Sequence, residues 1–235
     1  FMGAFKKSLS YFTKGELALW GGSAALVLGA FFWFDRGNPL ILAASLLGTT
    51  SLLFSAKGNP FGQVLMVVFS LLYGYISWGF AYYGEMLTYV GMTAPMSLYA
   101  LVSWLKNPYG GRRSQVKIRR LACREVLVMA LLTLLVTMVF YFILAWFSTR
   151  NLLPSTLSVA TSFLAVYLTA RRSPYFALCY AANDLVLVLL WSLAALEDRA
   201  YLSTAACFAV FLLNDSYTFV NWRRMQDRQE QEAGK

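Results

Sequence analysis

Long apolar stretches, separated by short polar connections, make up most of this chain. Each stretch is close to the ~20 residues that a helix needs to cross the hydrocarbon layer of a membrane. A helix is expected there because it satisfies its own backbone polar groups where no water is present. We therefore predict an all-α, polytopic membrane protein with eight spans: Gly15–Phe34, Pro39–Ala56, Pro60–Phe80, Met86–Trp104, Leu121–Phe147, Leu153–Thr169, Tyr175–Leu196 and Tyr201–Trp222.

The composition supports this class and argues against an enzyme. Of the 235 residues, 59% are hydrophobic and 13% are charged, whereas soluble domains carry ~25% charged residues. The chain has no histidine, and its three cysteines do not have metal-ligand spacing. A glycine-rich phosphate loop and a nucleophile beside a base are also missing. We predict no catalytic residues, no cofactor and no metal.

The positive charge sits on alternate connections and on the two tails. All Lys and Arg residues except Arg36, Arg150 and Arg199 lie on one predicted side of the membrane. The positive-inside rule makes that side the cytoplasm and places both termini there. The placement of the net charge of +9 therefore predicts contact with a lipid bilayer and not with nucleic acid.

A short motif occurs twice and predicts an internal repeat. Ala56-Lys57-Gly58-Asn59-Pro60-Phe61 corresponds to Ala170-Arg171-Arg172-Ser173-Pro174-Tyr175, and each copy joins the first two spans of a three-span set. Both sets have the same predicted orientation, as in transporters built from parallel repeats. The alternative is that this motif is merely a common way to begin a cytoplasmic helix. The repeat divides the chain into 1–38 (basic tail and extra helix), 39–105 (first set), 106–120 (basic loop), 121–150 (linking helix), 151–222 (second set) and 223–235 (tail).

Two carboxylates lie well inside predicted spans, and each follows an asparagine: Asn183-Asp184 and Asn214-Asp215. A charged group at the bilayer centre costs at least ~2.5–3.5 kcal/mol, so such residues usually face a cavity or a partner. The alternative is a protonated acid, or one bonded to a Ser or Thr across a helix interface. Tyr217 shares a helix face with Asn214, three residues away.

Deep aromatic residues are the second signal for a binding site. Phe69, Tyr73 and Phe176 could stack on a flat heterocycle or attract a cation. For an average aromatic residue, however, a role in the core is the simpler interpretation. Glu85 is expected at an external helix start, where its charge favours the helix N-terminus.

The chain resembles the PnuC family of bacterial vitamin transporters over about Leu40 to Met225. The resemblance rests on Ala56-Lys57-Gly58, Tyr73-Gly74-Tyr75, Tyr83-Gly84-Glu85, Pro95-Met96, Trp104, Leu213-Asn214, Tyr217 and Asn221-Trp222-Arg223-Arg224. It implies a SWEET-like arrangement of three, one and three helices, sometimes with an extra N-terminal helix. It also implies facilitated diffusion of nicotinamide riboside, trapping of the substrate by phosphorylation, and a homo-trimer.

The chain departs from the family pattern at several positions. Asn183 matches a family asparagine, but Phe176 and Cys179 replace two tryptophans. Phe69 and Ser97 stand where relatives have an asparagine and a glutamine. The cargo therefore stays open among nicotinamide riboside, thiamine, riboflavin and another nucleoside-like vitamin, and a non-transporting scaffold is the other alternative. The predicted substrate-binding residues are Asn183, Asn214, Tyr217, Phe176, Tyr73, Phe69, Ser97, Asp184 and Asp215.

Overall fold

The structure is a computed structural model that describes residues 11–79, 82–149 and 151–234. The α-helices are α1 (Lys14–Phe34), α2 (Pro39–Ala56), α3 (Phe61–Gly79), α4 (Tyr83–Leu87), α5 (Ala94–Lys106), α6 (Cys123–Trp146), α7 (Leu152–Ala170), α8 (Tyr175–Ala194) and α9 (Tyr201–Ala233). A π-helical turn (Thr88–Thr93) joins α4 to α5, and a small hairpin pairs β1 (Pro108–Tyr109) with β2 (Arg112–Val116). The predicted all-α, polytopic class is confirmed.

Six helices in the described ranges are long and apolar enough to cross a membrane: α1, α2, α3, α6, α7 and α8. The sequence predicts eight spans, and the fourth and eighth of them are not among these six helices. The fourth is divided by the π-helical turn. The eighth, in α9, carries Asn214 and Asp215 within its apolar part.

The π-helical turn lies directly before Pro95, the second residue of α5. Proline has no backbone N–H and cannot bond the carbonyl four residues earlier, so the regular helix is interrupted just before it. The Thr93 hydroxyl bonds the Thr88 carbonyl across the turn at 3.2 Å. As a result, the side chains of Tyr89 and Thr93 face the interior of the protein.

The helices pack as two sets that meet through their first and third members. Helix α9 packs on α2, and α5 packs on α7. Helix α1 lies against α2 and α9, whereas α6 packs on α7 and buries only Leu144. The linking helix α6 is thus left with a mostly open apolar surface. This packing is what two matching helix sets would produce, and the repeat itself stays a prediction.

The predicted basic loop 106–120 contains the β-hairpin, which the sequence analysis did not anticipate. Gly110 and Gly111 have φ values of 56° and 73°, as a two-residue type I′ turn requires. Two adjacent glycines between Tyr109 and Arg112 are a recognised hairpin signal. In this chain the run of basic residues around them masked that signal.

The predicted solvated tail 223–235 is helical as far as Ala233 and continues α9. Its residues are mainly good helix formers, and it packs on the hairpin. The Gln229 side chain donates to the Val116 carbonyl at 3.1 Å and accepts from the Ile118 N–H at 2.9 Å. The basic loop and the end of α9 therefore form one folded unit.

Gly48 allows the two helix sets to approach closely. A Cβ atom at this position of α2 would lie 2.4 Å from the Phe211 ring of α9 and 3.1 Å from the Phe69 ring of α3. The first distance is shorter than Cβ contacts in real proteins, so a side chain at this position would force the Phe211 ring to move. Gly48 thus sets how closely α2, α3 and α9 converge.

We predict that Gly48→Ala lowers the free energy of unfolding by about 1–3 kcal/mol, the usual cost of overpacking a core. Thermal unfolding of the purified protein in detergent measures the effect. Gly22→Ala is the control, because a Cβ there meets no atom within 4 Å. Equal melting temperatures for the two variants would contradict this account of α2 packing.

Candidate functional site

A closed cavity lies between the two helix sets. The first set lines it with apolar and aromatic side chains, two of the five bearing a hydroxyl, and the second set supplies most of the polar groups. The lining residues are Leu52, Met66, Phe69, Tyr89 and Thr93 from the first set, and Ser162, Tyr180, Asn183, Asp184, Phe211 and Asp215 from the second. The structure therefore brings together four predicted site residues: Phe69, Asn183, Asp184 and Asp215.

Asn183 is held against α7. Its Oδ1 atom lies 2.9 Å from the Thr161 hydroxyl and 3.1 Å from the Ser162 hydroxyl. The side chain is buried, and it reaches the cavity from α8. These contacts fix the amide on the cavity wall, where its remaining hydrogen-bonding capacity faces the interior.

Asp184 and Asp215 form a carboxyl pair across α8 and α9. The two side chains lie next to each other and are only 3% and 2% exposed. Asp184 Oδ2 and Asp215 Oδ1 have no hydrogen-bond partner within the described residues. A partly unsatisfied, acidic pair thus faces the cavity.

One end of the cavity is closed by an aromatic layer that contains Tyr73. Trp191 Nε1 donates to the Tyr73 hydroxyl at 2.7 Å, and the Tyr73 ring stacks on Phe69 and packs edge-on against Phe208. Tyr73 lines a separate void of ≈ 10 Å³ in this layer. Tyr73 therefore lies at one end of the cavity and outside its lining, and its part in substrate binding stays a prediction.

The opposite end is closed by Phe176 and two tryptophans. The Phe176 ring centroid lies 4.7 Å from that of Trp222, and Trp222 lies 5.3 Å from Trp104. Phe176 belongs to this layer, and Tyr180, one turn later, reaches the cavity. Between the two layers the cavity measures ≈ 20 Å³, which is room for about one water molecule.

Asn214 and Tyr217 face α1 and lie outside the cavity lining. The Asn214 amide donates to the Ser23 hydroxyl at 2.8 Å, and the Tyr217 hydroxyl donates to Glu16 at 3.2 Å. Glu16 also forms an ion pair with Lys57 at 3.0 Å. Adjacent residues on a helix point ~100° apart, so Asp215 turns inward while Asn214 braces α1.

Two other residues are also placed differently from expectation. Ser97 is buried but is not part of the cavity lining, and its hydroxyl has no hydrogen-bond partner among the residues described. Glu85 lies in the first turn of the helix that begins at Tyr83, as expected. It is only 1% exposed, however, and lies beside Ser158 of α7. Gly84 lets this helix approach Leu144 of α6.

Trp104 ties the end of the first set to the second set. Its Nε1 donates to the Thr169 carbonyl at 2.8 Å, and the preceding Ser103 hydroxyl donates to the Ala170 carbonyl at 2.9 Å. Both acceptors lie at the end of α7. Two consecutive side chains of α5 thus bond two consecutive carbonyls of α7.

Trp222 makes the corresponding contact in the opposite direction. Its Nε1 donates to the Ser55 carbonyl at 2.9 Å, and Asn221 donates to the Ala56 carbonyl at 2.7 Å. We call these four hydrogen bonds the tryptophan clasp. It joins the two sets reciprocally at the end that carries the basic loop, and it supports the predicted repeat.

Two helix sets around a buried polar cavity, with open apolar faces outside, define a multi-pass membrane protein built like a solute carrier. The chain belongs to the nicotinamide mononucleotide transporter family, whose model matches residues 38–224. The resemblance to the PnuC family is thereby confirmed.

Individual relatives agree with this membership. The nicotinamide riboside transporter PnuC of Neisseria mucosa (strain ATCC 25996 / DSM 4631 / NCTC 10774 / M26) is 24% identical over 205 residues, covering 84% of this chain and 76% of that protein. A crystal structure of the vitamin B3 transporter PnuC superposes with a TM-score of 0.81 at 20% identity, covering 93% of this chain and 94% of that one. The second comparison shows a shared fold.

We predict that Trp104→Phe and Trp222→Phe each lower the free energy of unfolding by about 1 kcal/mol, because each removes one donor from the clasp. Thermal unfolding in detergent measures both. Trp146→Phe is the matched control, since Trp146 is 86% exposed. Wild-type melting temperatures for both clasp variants would show that these bonds do not hold the sets together.

Proposed function

We propose that this protein is a carrier for a small, positively charged, ring-bearing vitamin precursor, with nicotinamide riboside as the first candidate. The observation that best supports this proposal is the Asp184–Asp215 pair, which is buried in a cavity between two helix sets. Within the part of the chain that the structure describes, no Lys or Arg lines that cavity. A cationic ring bound in the cavity would balance the negative charge of this pair. The curated relative is named as a nicotinamide riboside transporter.

The lining residues suggest how such a substrate is held. Asn183 would hydrogen-bond the sugar or the amide, and the carboxyl pair would offset the positive charge of the ring. Phe69, Tyr89 and Tyr180 would provide aromatic faces. Phe176 and Tyr73, which were predicted to flank the ring, instead close the two ends of the site.

Transport requires the cavity to enlarge and to open at each end in turn. Ligand pockets usually measure ~300–1,000 Å³, far more than the ≈ 20 Å³ of this closed form. Rocking of one helix set against the other would enlarge it. The tryptophan clasp would be the gate on the cytoplasmic side, if the charge distribution places both termini there.

Uptake would occur by facilitated diffusion, and phosphorylation inside the cell would trap the substrate. The protein would form the trimer that the family resemblance implies and would lie in a bacterial inner membrane. Thiamine is the second candidate cargo, because its ring is also cationic and suits the carboxyl pair. Riboflavin, other neutral nucleoside-like vitamins and a scaffold role gain no support from that pair.

We predict that the double variant Asp184→Asn/Asp215→Asn reduces nicotinamide riboside uptake at least tenfold, because both carboxyl groups that can balance the charge of the ring are lost. Uptake into proteoliposomes measures this, with thiamine and a neutral nucleoside as competitors. Asp198→Asn, on an exposed connection, is the control. Unchanged uptake in this double variant, in protein that still melts cooperatively, would rule out a cation site here.

We predict that Asn183→Leu abolishes substrate binding while Asn214→Leu does not. Asn183 faces the cavity, whereas Asn214 braces α1 through Ser23. Ligand-induced thermal stabilisation with nicotinamide riboside separates the two effects. Asn214→Leu should lower the melting temperature of the free protein yet keep the ligand-induced rise. A normal rise in Asn183→Leu would contradict the assigned site.

A further inference from the structure

An open groove runs along the outside of the second helix set, near the basic loop. Helix α7 forms its floor, and α6 and α8 form its walls. Its volume is ≈ 640 Å³. Apolar side chains line the part that enters the spans, including Val126 of α6, Leu164 of α7 and Leu178 of α8. Val126 and Leu178 are exposed, so the groove opens toward the surrounding bilayer.

The rim of this groove is basic. Arg119 and Arg120 overhang it from the loop before α6, and Arg223 does so from α9. Arg223 lies over the Tyr175 ring, with 5.9 Å between the guanidinium carbon and the ring centroid. Among the described residues, Arg223 forms no ion pair with a carboxylate. Its guanidinium donates to Gln226 Oε1 at 3.0 Å, and its other N–H groups can meet an external anion.

Positive charge exceeds negative charge around the rim. Glu125 is shared by Arg119 and Arg171, and Glu230 pairs with Arg120 at 2.6 Å. Arg172 lies next to the rim, where its carbonyl accepts from the Arg119 N–H at 3.1 Å.

Two neighbouring guanidinium groups are incompletely satisfied. The buried Nε atoms of Arg171 and Arg172 have no hydrogen-bond partner among the described residues. Burial, followed by the charges of Arg119 and Arg171, lowers the pKa of the Arg172 guanidinium. An anion at the rim would relieve this repulsion.

We propose that the groove is a binding site for an anionic phospholipid. The phosphate would sit among Arg119, Arg120 and Arg223, and the acyl chains would lie along α7 between α6 and α8. A basic rim above an apolar groove at the membrane boundary is the arrangement that anionic headgroups favour. Neither the substrate cavity nor the family match assigns a function to this surface, and the site does not depend on the proposed cargo.

Native mass spectrometry of the purified protein, titrated with phosphatidylglycerol or phosphatidylcholine, tests the site. We expect at least fivefold preference for phosphatidylglycerol. Arg119→Gln/Arg223→Gln should abolish the preference, and Leu178→Trp should reduce binding by filling the groove while keeping the charges. Arg112→Gln/Arg113→Gln is the control, because these exposed arginines share the loop but lie outside the groove. That variant should behave as wild type.

Several outcomes would overturn the proposal. Equal retention of the two lipids would do so, as would normal phosphatidylglycerol binding by both groove variants. Full competition by soluble glycerol phosphate would indicate a site for a free phosphate group. A change in oligomeric state without a change in lipid retention would assign the groove to contact between copies of this chain. Each groove variant must keep the melting temperature of the wild type in phosphatidylcholine. If the arginine variant is destabilised, Leu178→Trp alone tests the site.

Discussion

The cost of placing polar groups in an apolar layer controls this structure. An uncompensated carboxyl or amide group facing lipid would be strongly unfavourable, and the chain contains such groups in the middle of α8 and α9. They are accommodated by turning inward, where Asn183 contacts two hydroxyls and Asp184 contacts Asp215. This requirement fixes the rotation of both helices. The apolar faces of α8 and α9 are then left to face the bilayer or the neighbouring helices.

Close approach of the two sets follows from small residues and aromatic layers. Gly48 lets the Phe211 ring reach α2, and the clasp joins the sets at the end near the basic loop. Aromatic rings close both ends of the cavity, so the polar groups meet neither bulk water nor lipid. The proposed transport cycle requires each closing layer to open in turn. The same interface therefore stabilises the closed form and provides the proposed transport path.

The all-α, polytopic class could be predicted because span length and charge placement are properties of the chain itself. The π-helical turn before Pro95 could not be predicted from the sequence, because its extent depends on packing against α3 and α7. The direction in which the Asn214 and Tyr217 side chains point could not be predicted from the sequence either. Both residues show the correct spacing for a common helix face, but only the position of α1 shows that this face meets Ser23 and Glu16. Adjacent Asp215, by contrast, lines the cavity.

Equivalent positions of the predicted repeat carry residues of different chemical character in the two sets. Counting from the shared hexapeptide, Phe69 of α3 corresponds to Asn183 of α8, and Gly48 of α2 corresponds to Ser162 of α7. The second set uses this pair as a hydrogen-bonded hydroxyl and amide at 3.1 Å, whereas the first set uses it to seat aromatic rings. A substrate between the sets would therefore meet a polar wall on one side and a largely aromatic wall on the other. That asymmetry suits a ligand with a hydrogen-bonding sugar or amide and a flat, positively charged ring.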